Sequence, residues 1–365
     1  MSINQIIVYI MVVFAVLGAI DRIIGNKIGL GQQFEEGILA IGTLALSMVG
    51  IIALSPVIAK VLQPVIVPLF HFLGADPAMF AGSILANDMG GAPLAAELAA
   101  TKEAAQFGGL IVGSMLGPTI VFTIPVALGI IKESDRKYLA TGVLAGVITI
   151  PFGSFFGGLA AGFPIKMILM NLIPIVLFAI LIALGLWKFE NGMIKGFTVF
   201  GKCIVVIITI GLAAGIVESL TGIKLIPGMN PLSDGFEIVA DISIVLAGAF
   251  PLVFAITKIF KKPLMGLGKW LKMNDVAAAG LVASLANSIP MFNMLKDMDE
   301  RGKIINVAFA TSAAFVFGDH LGFTAGYDQT MIFPMIVGKL VGGILAVILA
   351  MLLSKQLIKG ENHGN

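Results

Sequence analysis

The chain predicts an all-α polytopic membrane protein, built from two inverted-topology repeats whose re-entrant or broken helices meet at the bilayer midplane. Three observations carry this. Of 365 residues, 58% are hydrophobic and 12% charged, where a soluble domain has about 25% charged. The tripeptide Leu85-Ala86-Asn87 returns as Leu285-Ala286-Asn287, each copy in the middle of an apolar stretch. The main clusters of basic residues fall in short loops that can be placed on one side of a membrane, with Lys60, Lys102, Lys269 and Lys272 as imperfect fits.

Taken in chain order, nine apolar windows are long enough to be membrane spans, for which about 20 residues suffice. They cover residues 6–20, 37–59, 107–131, 138–161, 166–187, 197–217, 238–257, 303–325 and 331–353. The first has no basic residue before it, and Asp21-Arg22 follows it instead of a small-residue cleavage site. It is expected to be a retained helix, not a secretory signal. Two further stretches, 77–98 and 276–295, are rich in Gly and Ala and hold the paired tripeptides, with Pro93 and Pro290 just beyond. Proline removes a backbone donor and crowds the preceding turn. Polar residues followed by proline at membrane depth therefore predict helix breaks, with Gly90 and Gly91 as further break residues. Backbone freed by such breaks must face protein or a cavity.

The repeat extends beyond three residues. Gln33-Phe34-Glu35 resembles Gly235-Phe236-Glu237, and Ala81-Gly82 resembles Ala279-Gly280. Gly117-Pro118-Thr119 aligns with Gly318-Asp319-His320, and Gly142 and Gly146 match Gly338 and Gly342. The offset stays near 200 residues throughout. Residues 1–164 form the first expected repeat, 165–196 a connector, 197–357 the second repeat and 358–365 a polar tail. Cytoplasmic loops carry an excess of Lys and Arg. Putting the clusters around Lys132, Lys188, Lys258, Lys296 and Lys355 inside places the N-terminus outside and the C-terminus in the cytoplasm. The second repeat then starts on the side opposite to the first.

Polar groups in such segments are costly. An aspartate at the centre of a span costs about 2.5–3.5 kcal/mol on insertion scales, so it persists where it faces protein or a polar cavity. Asn87, Asp88, Asn287 and Ser288 are expected to converge near the midplane as a substrate site between the repeats. Asp319 and His320 form a third polar cluster, able to bind a cation or relay protons. Glu35, inside the repeat, is a further site or gate candidate, although an acid near a helix start is often a dipole partner. Phe292 and Phe323 lie near the motifs and can offer ring faces to a cation.

Other classes are disfavoured. Net charge is +2 and the positives make no stripe, so nucleic acid is not an expected partner. One cysteine excludes an internal disulfide framework. Three histidines, none at ligand spacing from another, give no metal site, and no cofactor is implied. An intramembrane enzyme using Asp319 and His320 as acid and base would give no reason for a duplicated architecture. Gly-rich faces such as 153–162 leave both internal packing and a homo-oligomer open.

Several longer stretches carry a family resemblance. They are Gly31-Gln32-Gln33-Phe34-Glu35-Glu36-Gly37, Met79-Phe80-Ala81-Gly82, Asp88-Met89-Gly90-Gly91 and Gly113-Ser114-Met115-Leu116-Gly117-Pro118-Thr119-Ile120-Val121-Phe122. Ser134-Asp135-Arg136, Leu285-Ala286-Asn287-Ser288-Ile289-Pro290-Met291-Phe292, Gly318-Asp319-His320-Leu321-Gly322-Phe323 and Ile332-Phe333-Pro334-Met335-Ile336-Val337-Gly338-Lys339 complete the set. Through them the chain resembles the ethanolamine permease family of bacterial ethanolamine-utilisation operons. The loop after the first span and the stretch around 162–166 are short for that family; neither touches the polar motifs. The resemblance implies a bacterial inner-membrane protein, not an enzyme, which admits ethanolamine for breakdown by a cobalamin-dependent lyase in a microcompartment. Ethanolamine near neutral pH is mostly a small ammonium ion with a hydroxyl. Asp88 or Asp319 can pair with the ammonium, while Asn87, Asn287 and Ser288 can hydrogen-bond either end. Facilitated entry and coupling to Na⁺ or H⁺, including a carrier of another small polar solute, both remain open at this point.

Overall fold

The computed structural model describes residues 1–361. His363 and the last residues of the polar tail, 362–365, lie outside the described residues. Among the described residues there are helices and no strands. Seven helices are long and apolar enough to cross a membrane, and a bent pair makes an eighth.

Helix α1 spans Ile3–Ile23, and Ser2 and Gln5 form a capping box at its start. Its outward side chains, among them Tyr9, Val12, Val13 and Val16, are large, apolar and exposed. Such a face suits lipid, not water. Helix α2, Leu30–Phe72, is long and carries Pro56, Pro64 and Pro68. A helical hairpin follows: α3, Ala78–Ile84, and α4, Gly91–Leu98. The window 107–131 is one span bent by 40° into α5, Lys102–Ser114, and α6, Leu116–Ile130. Helix α7 is Arg136–Ala160.

Two of the expected spans, 166–187 and 197–217, belong to one long helix, α8, Ile165–Thr221, with non-helical backbone at Phe189. Helix α9 is Leu232–Trp270. A second helical hairpin comprises α10, Asp275–Ala286, and α11, Ser288–Met294. The window 303–325 is interrupted, as α12, Glu300–Ala313, and α13, Asp319–Tyr327. Helix α14, Ile332–Glu361, ends the described chain.

The most extensive helix contacts join α2 to α9 and α7 to α14. Glycines allow these close crossings. A Cβ on Gly37 would strike the backbone of Leu246 and Ala247, and one on Gly153 would meet Gly338 and Gly342. Small residues bring helix backbones together where lipid offers no hydrophobic drive for association. The two hairpins lie within this frame. The neck of the first is pinned by Asp76, which accepts from the N–H of Ala78 at 2.9 Å and of Ala100 at 3.0 Å. The neck of the second is pinned by Asp299, which accepts from the Asn274 N–H at 2.8 Å, while the Asn274 amide donates to the Asp297 carbonyl at 2.9 Å. Each hairpin thus leaves and re-enters at one level.

Candidate functional site

Both hairpins are interrupted at the repeated tripeptide. In the first, Leu85 and Ala86 are extended, Asn87–Met89 makes one tight turn, and Gly90 takes φ +91°, where a side chain would be strained. In the second, the single extended residue Asn287 separates α10 from α11. Pro93 and Pro290 do not mark the interruptions. Each is the third residue of the helix that resumes, where the missing N–H would have had no helical acceptor. Gly91 is the first residue of α4, packed against the carbonyls of Leu85 and Ala86.

Each break is pressed by a glycine from elsewhere in the chain. A Cβ on Gly117 would collide with the Leu85 carbonyl, and one on Gly318 with the Ala286 carbonyl. Residues between α12 and α13 run beside the second break. The Phe315 N–H donates to the Ser284 carbonyl at 3.0 Å and the Phe317 N–H to the Leu285 carbonyl at 2.9 Å. Phe315 has φ +63°, an outlier for a bulky residue. These hydrogen bonds and its ring contacts hold it there: the ring lies 5.2 Å from His320 and 5.5 Å from Phe122, centroid to centroid.

Beyond Phe315, the first turn of α13 delivers Asp319 and His320 to the turn that carries Asp88; the two segments pack directly. His320 is buried, with Nε2 3.9 Å from Asp88 Oδ1. Its Nδ1 lies 2.9 Å from Nζ of Lys339, a residue of α14 that is only 1% exposed. The Lys339 ammonium also donates to the Ser114 carbonyl. That carbonyl is free for local reasons: Ser114 is the last residue of α5, where carbonyls lack helical donors, and the residue four positions on is a proline without an N–H. Since Lys339 can only donate, Nδ1 of His320 accepts, and the ring proton sits on Nε2, facing Asp88. Asp319 precedes His320 on the first turn of α13, the helix that packs on the turn carrying Asp88. The cluster therefore joins two carboxylates, an imidazole and an ammonium, contributed by the first hairpin, α13 and α14.

Several polar groups of the two hairpins and α13 are unsatisfied. Asn87 is fully buried, with neither amide atom partnered, and the hydroxyls of Ser288 and Thr324 are buried without partners. Buried polar groups are normally hydrogen-bonded, and an orphan is a pointer to an occupant. Asn287 behaves differently: its Oδ1 accepts from the Ile289 N–H at 2.9 Å, capping α11. No hydrogen bond joins Asn87 to Asn287. Asn287 instead lines a cavity of about 470 Å³ with Gln33, Lys258 and Pro290. A cavity of about 180 Å³ lies by Lys102, Gln106 and Asp328.

Of the remaining expected site residues, Phe292 and Phe323 are buried, and Phe323 stacks on Tyr327 at 5.2 Å. Glu35 is not brought to the cluster: it pairs with Arg22 at 3.2 Å, and its side chain is 45% exposed. Lys339 was not anticipated from the sequence, although a lysine eight residues into an apolar window is as anomalous as Asp88. A cavity of about 900 Å³ between α7 and α8 is lined by apolar side chains such as Phe152, Phe156 and Leu169. It has nothing to orient a small polar solute.

Comparison with known proteins finds close relatives. A protein of Listeria monocytogenes named probable ethanolamine permease EutH is 67% identical over 339 residues, 93% of this chain and 91% of that one. The probable ethanolamine permease EutH of Escherichia coli is 53% identical, over 93% of this chain and 92% of its own length. An uncharacterized protein of Bacillus subtilis, YxeR, is 51% identical over 93% of this chain and 92% of its own. No solved structure matches the chain. Residues 3–353 match the family described as ethanolamine utilisation protein, EutH, and the chain, a multi-pass membrane protein, belongs to that family.

Proposed function

We propose that this protein carries ethanolamine, as its ammonium form, into the bacterial cell across the inner membrane, by alternating access around the Asp88–His320–Lys339 cluster. The observation that carries this reading is the cluster itself. Paired carboxylates at membrane depth provide what a desolvated ammonium requires, and the unpartnered Asn87 amide offers hydrogen bonds to a hydroxyl. Asp88 or Asp319 pairs with the ammonium; Asn87 and Ser288 are the polar groups left for the other end. The close relatives named as probable ethanolamine permeases support the choice of substrate.

Alternating access rests on the two repeats threading the membrane in opposite senses, with the N-terminus outside and the C-terminus in the cytoplasm. Several features support it. The central crossings, α2 on α9 and α7 on α14, pair helices that correspond in the repeat. Pro93 and Pro290 occupy the same place in their helices, and a glycine presses on each break, Gly117 on the Leu85 carbonyl and Gly318 on the Ala286 carbonyl. The kink at Phe189 separates a connector from the helix that corresponds to α1. Corresponding ties also link the halves. Lys303 pairs with Asp135 at 2.7 Å, and Gln106 donates to Asp328 at 2.7 Å. In this reading they close opposite faces.

The test is uptake of labelled ethanolamine at low concentration, at neutral to mildly acidic pH, by Asp88→Asn and Asp319→Asn proteins confirmed in the membrane. Both are expected to lose uptake; normal transport by both sinks the site. The line from Lys339 through His320 to Asp88 also suits proton coupling. Uptake into proteoliposomes with and without a pH or Na⁺ gradient separates a coupled carrier from facilitated entry.

A further inference from the structure

Lys339 is the charged residue in the cluster that ethanolamine binding alone does not explain. An ammonium inside a site for ammonium ions competes, at first sight, with the substrate. It is buried, and its ammonium is held by two partners, the Ser114 carbonyl and His320 Nδ1. It belongs to α14, whereas the carboxylates come from the first hairpin and α13.

The charges of the cluster can be counted. In their ionised forms Asp88 and Asp319 bring two negative charges and Lys339 one positive charge. His320 is neutral, because it accepts from Lys339 on one nitrogen and keeps its proton on the other. The empty site is left with a single uncompensated negative charge. An uncompensated charge sealed away from water costs several kcal/mol, so the site closes most readily around an occupant carrying one positive charge.

We infer that Lys339 is the specificity-determining residue of the site: a resident counter-charge that cancels one carboxylate, so that a single monovalent ammonium neutralises the remainder. Without it, two charges would call for a dication or for a second cation bound with the substrate. With it, a dication overshoots and a neutral solute falls short. The inference rests on reading the cluster as the ethanolamine site, and the experiment separates the two ideas.

Ethylenediamine has ethanolamine's two-carbon length and, at mildly acidic pH, carries two positive charges. Uptake of both labelled compounds into proteoliposomes is measured for the wild type, Asp319→Asn, Lys339→Met and the double variant. The wild type is expected to favour ethanolamine by about tenfold or more, and Lys339→Met to shift the ratio toward ethylenediamine by about as much. Asp319→Asn should lose ethanolamine uptake, and adding Lys339→Met to it should restore the uptake, because the count returns to one. Two results overturn the inference: a Lys339→Met protein with the wild-type ratio, or a double variant no better than Asp319→Asn. The second holds even where Lys339→Met alone fails to fold. Undiminished ethanolamine uptake by both Asp88→Asn and Asp319→Asn would instead remove the site reading beneath it.

Discussion

The two hairpin breaks start from the same three residues and end differently. At residues 85–90 the chain makes an extended step, a tight turn and a left-handed glycine. That longer excursion frees Asn87 and carries Asp88 to His320. At residue 287 a single extended residue suffices, and its own side chain caps the helix that resumes. At the first break the Asn87 amide is left unpartnered; at the second the Asn287 oxygen is used by the helix that resumes. A duplicated frame can therefore hold a one-sided chemical centre. The second half supplies its charges from α13 and α14 instead of from its hairpin, at positions where the first half has Pro118, Thr119 and Val143.

The largest expected effects test whether the breaks are equivalent as architecture. Gly117→Ala and Gly318→Ala each place a methyl group against a break carbonyl. Each should cost about 3 kcal/mol or more, read as a lower thermal midpoint of the purified protein. Tolerance at one position alone would end the architectural equivalence. Next comes the functional difference. Removing the charge of Asp88 with Asp88→Asn should weaken ethanolamine binding by about 3 kcal/mol, on the order of 100-fold. Ser288→Ala, at the other break, should change it by less than about tenfold, since a single neutral hydrogen bond contributes about 1 kcal/mol. Equal losses would erase the contrast.

A smaller pair of effects sharpens it. Asn287→Ala removes a helix cap and should lower stability by about 1 kcal/mol. Asn87→Ala removes an amide with no partner and should leave the thermal midpoint unchanged or higher. With ethanolamine present the order reverses, because stabilisation by ligand should shrink in Asn87→Ala and persist in Asn287→Ala. The smallest effect belongs to Glu35→Gln. An exposed pair such as Arg22–Glu35 contributes under about 1 kcal/mol, so both uptake and thermal midpoint should stay near wild type.

The sequence was informative where chemistry conflicts with lipid. Asp88, Asp319 and His320 stood out because polar residues at membrane depth need a reason, and the structure places them in one cluster. Lys339 met the same criterion. It escaped notice because a lone lysine in a spanning window reads as a snorkelling side chain, and only the fold reveals the free carbonyl beside it. The long helices were legible from apolar length. Their joints were less so: α8 runs through a gap that the basic residues had suggested was a loop, since the kink at Phe189 needs no change of composition. Prolines marked the neighbourhood of each break but not its position, because proline is tolerated in the first turn of a helix and the adjoining Gly and Ala residues suit many conformations. Glu35 belonged to a repeated motif, yet repetition conserves a frame and does not bring every member to its centre.

A single absent hydrogen has a long reach here. The ring at position 118 cannot close the ordinary main-chain link to position 114, and the oxygen left over becomes the mooring for a cation from a helix more than two hundred residues away in the chain. The polarity at the heart of the molecule is thus set partly by a residue with no polar side chain. An exchange of Pro118 for alanine would introduce a rival donor for that oxygen and loosen the tether, without altering any ionisable group.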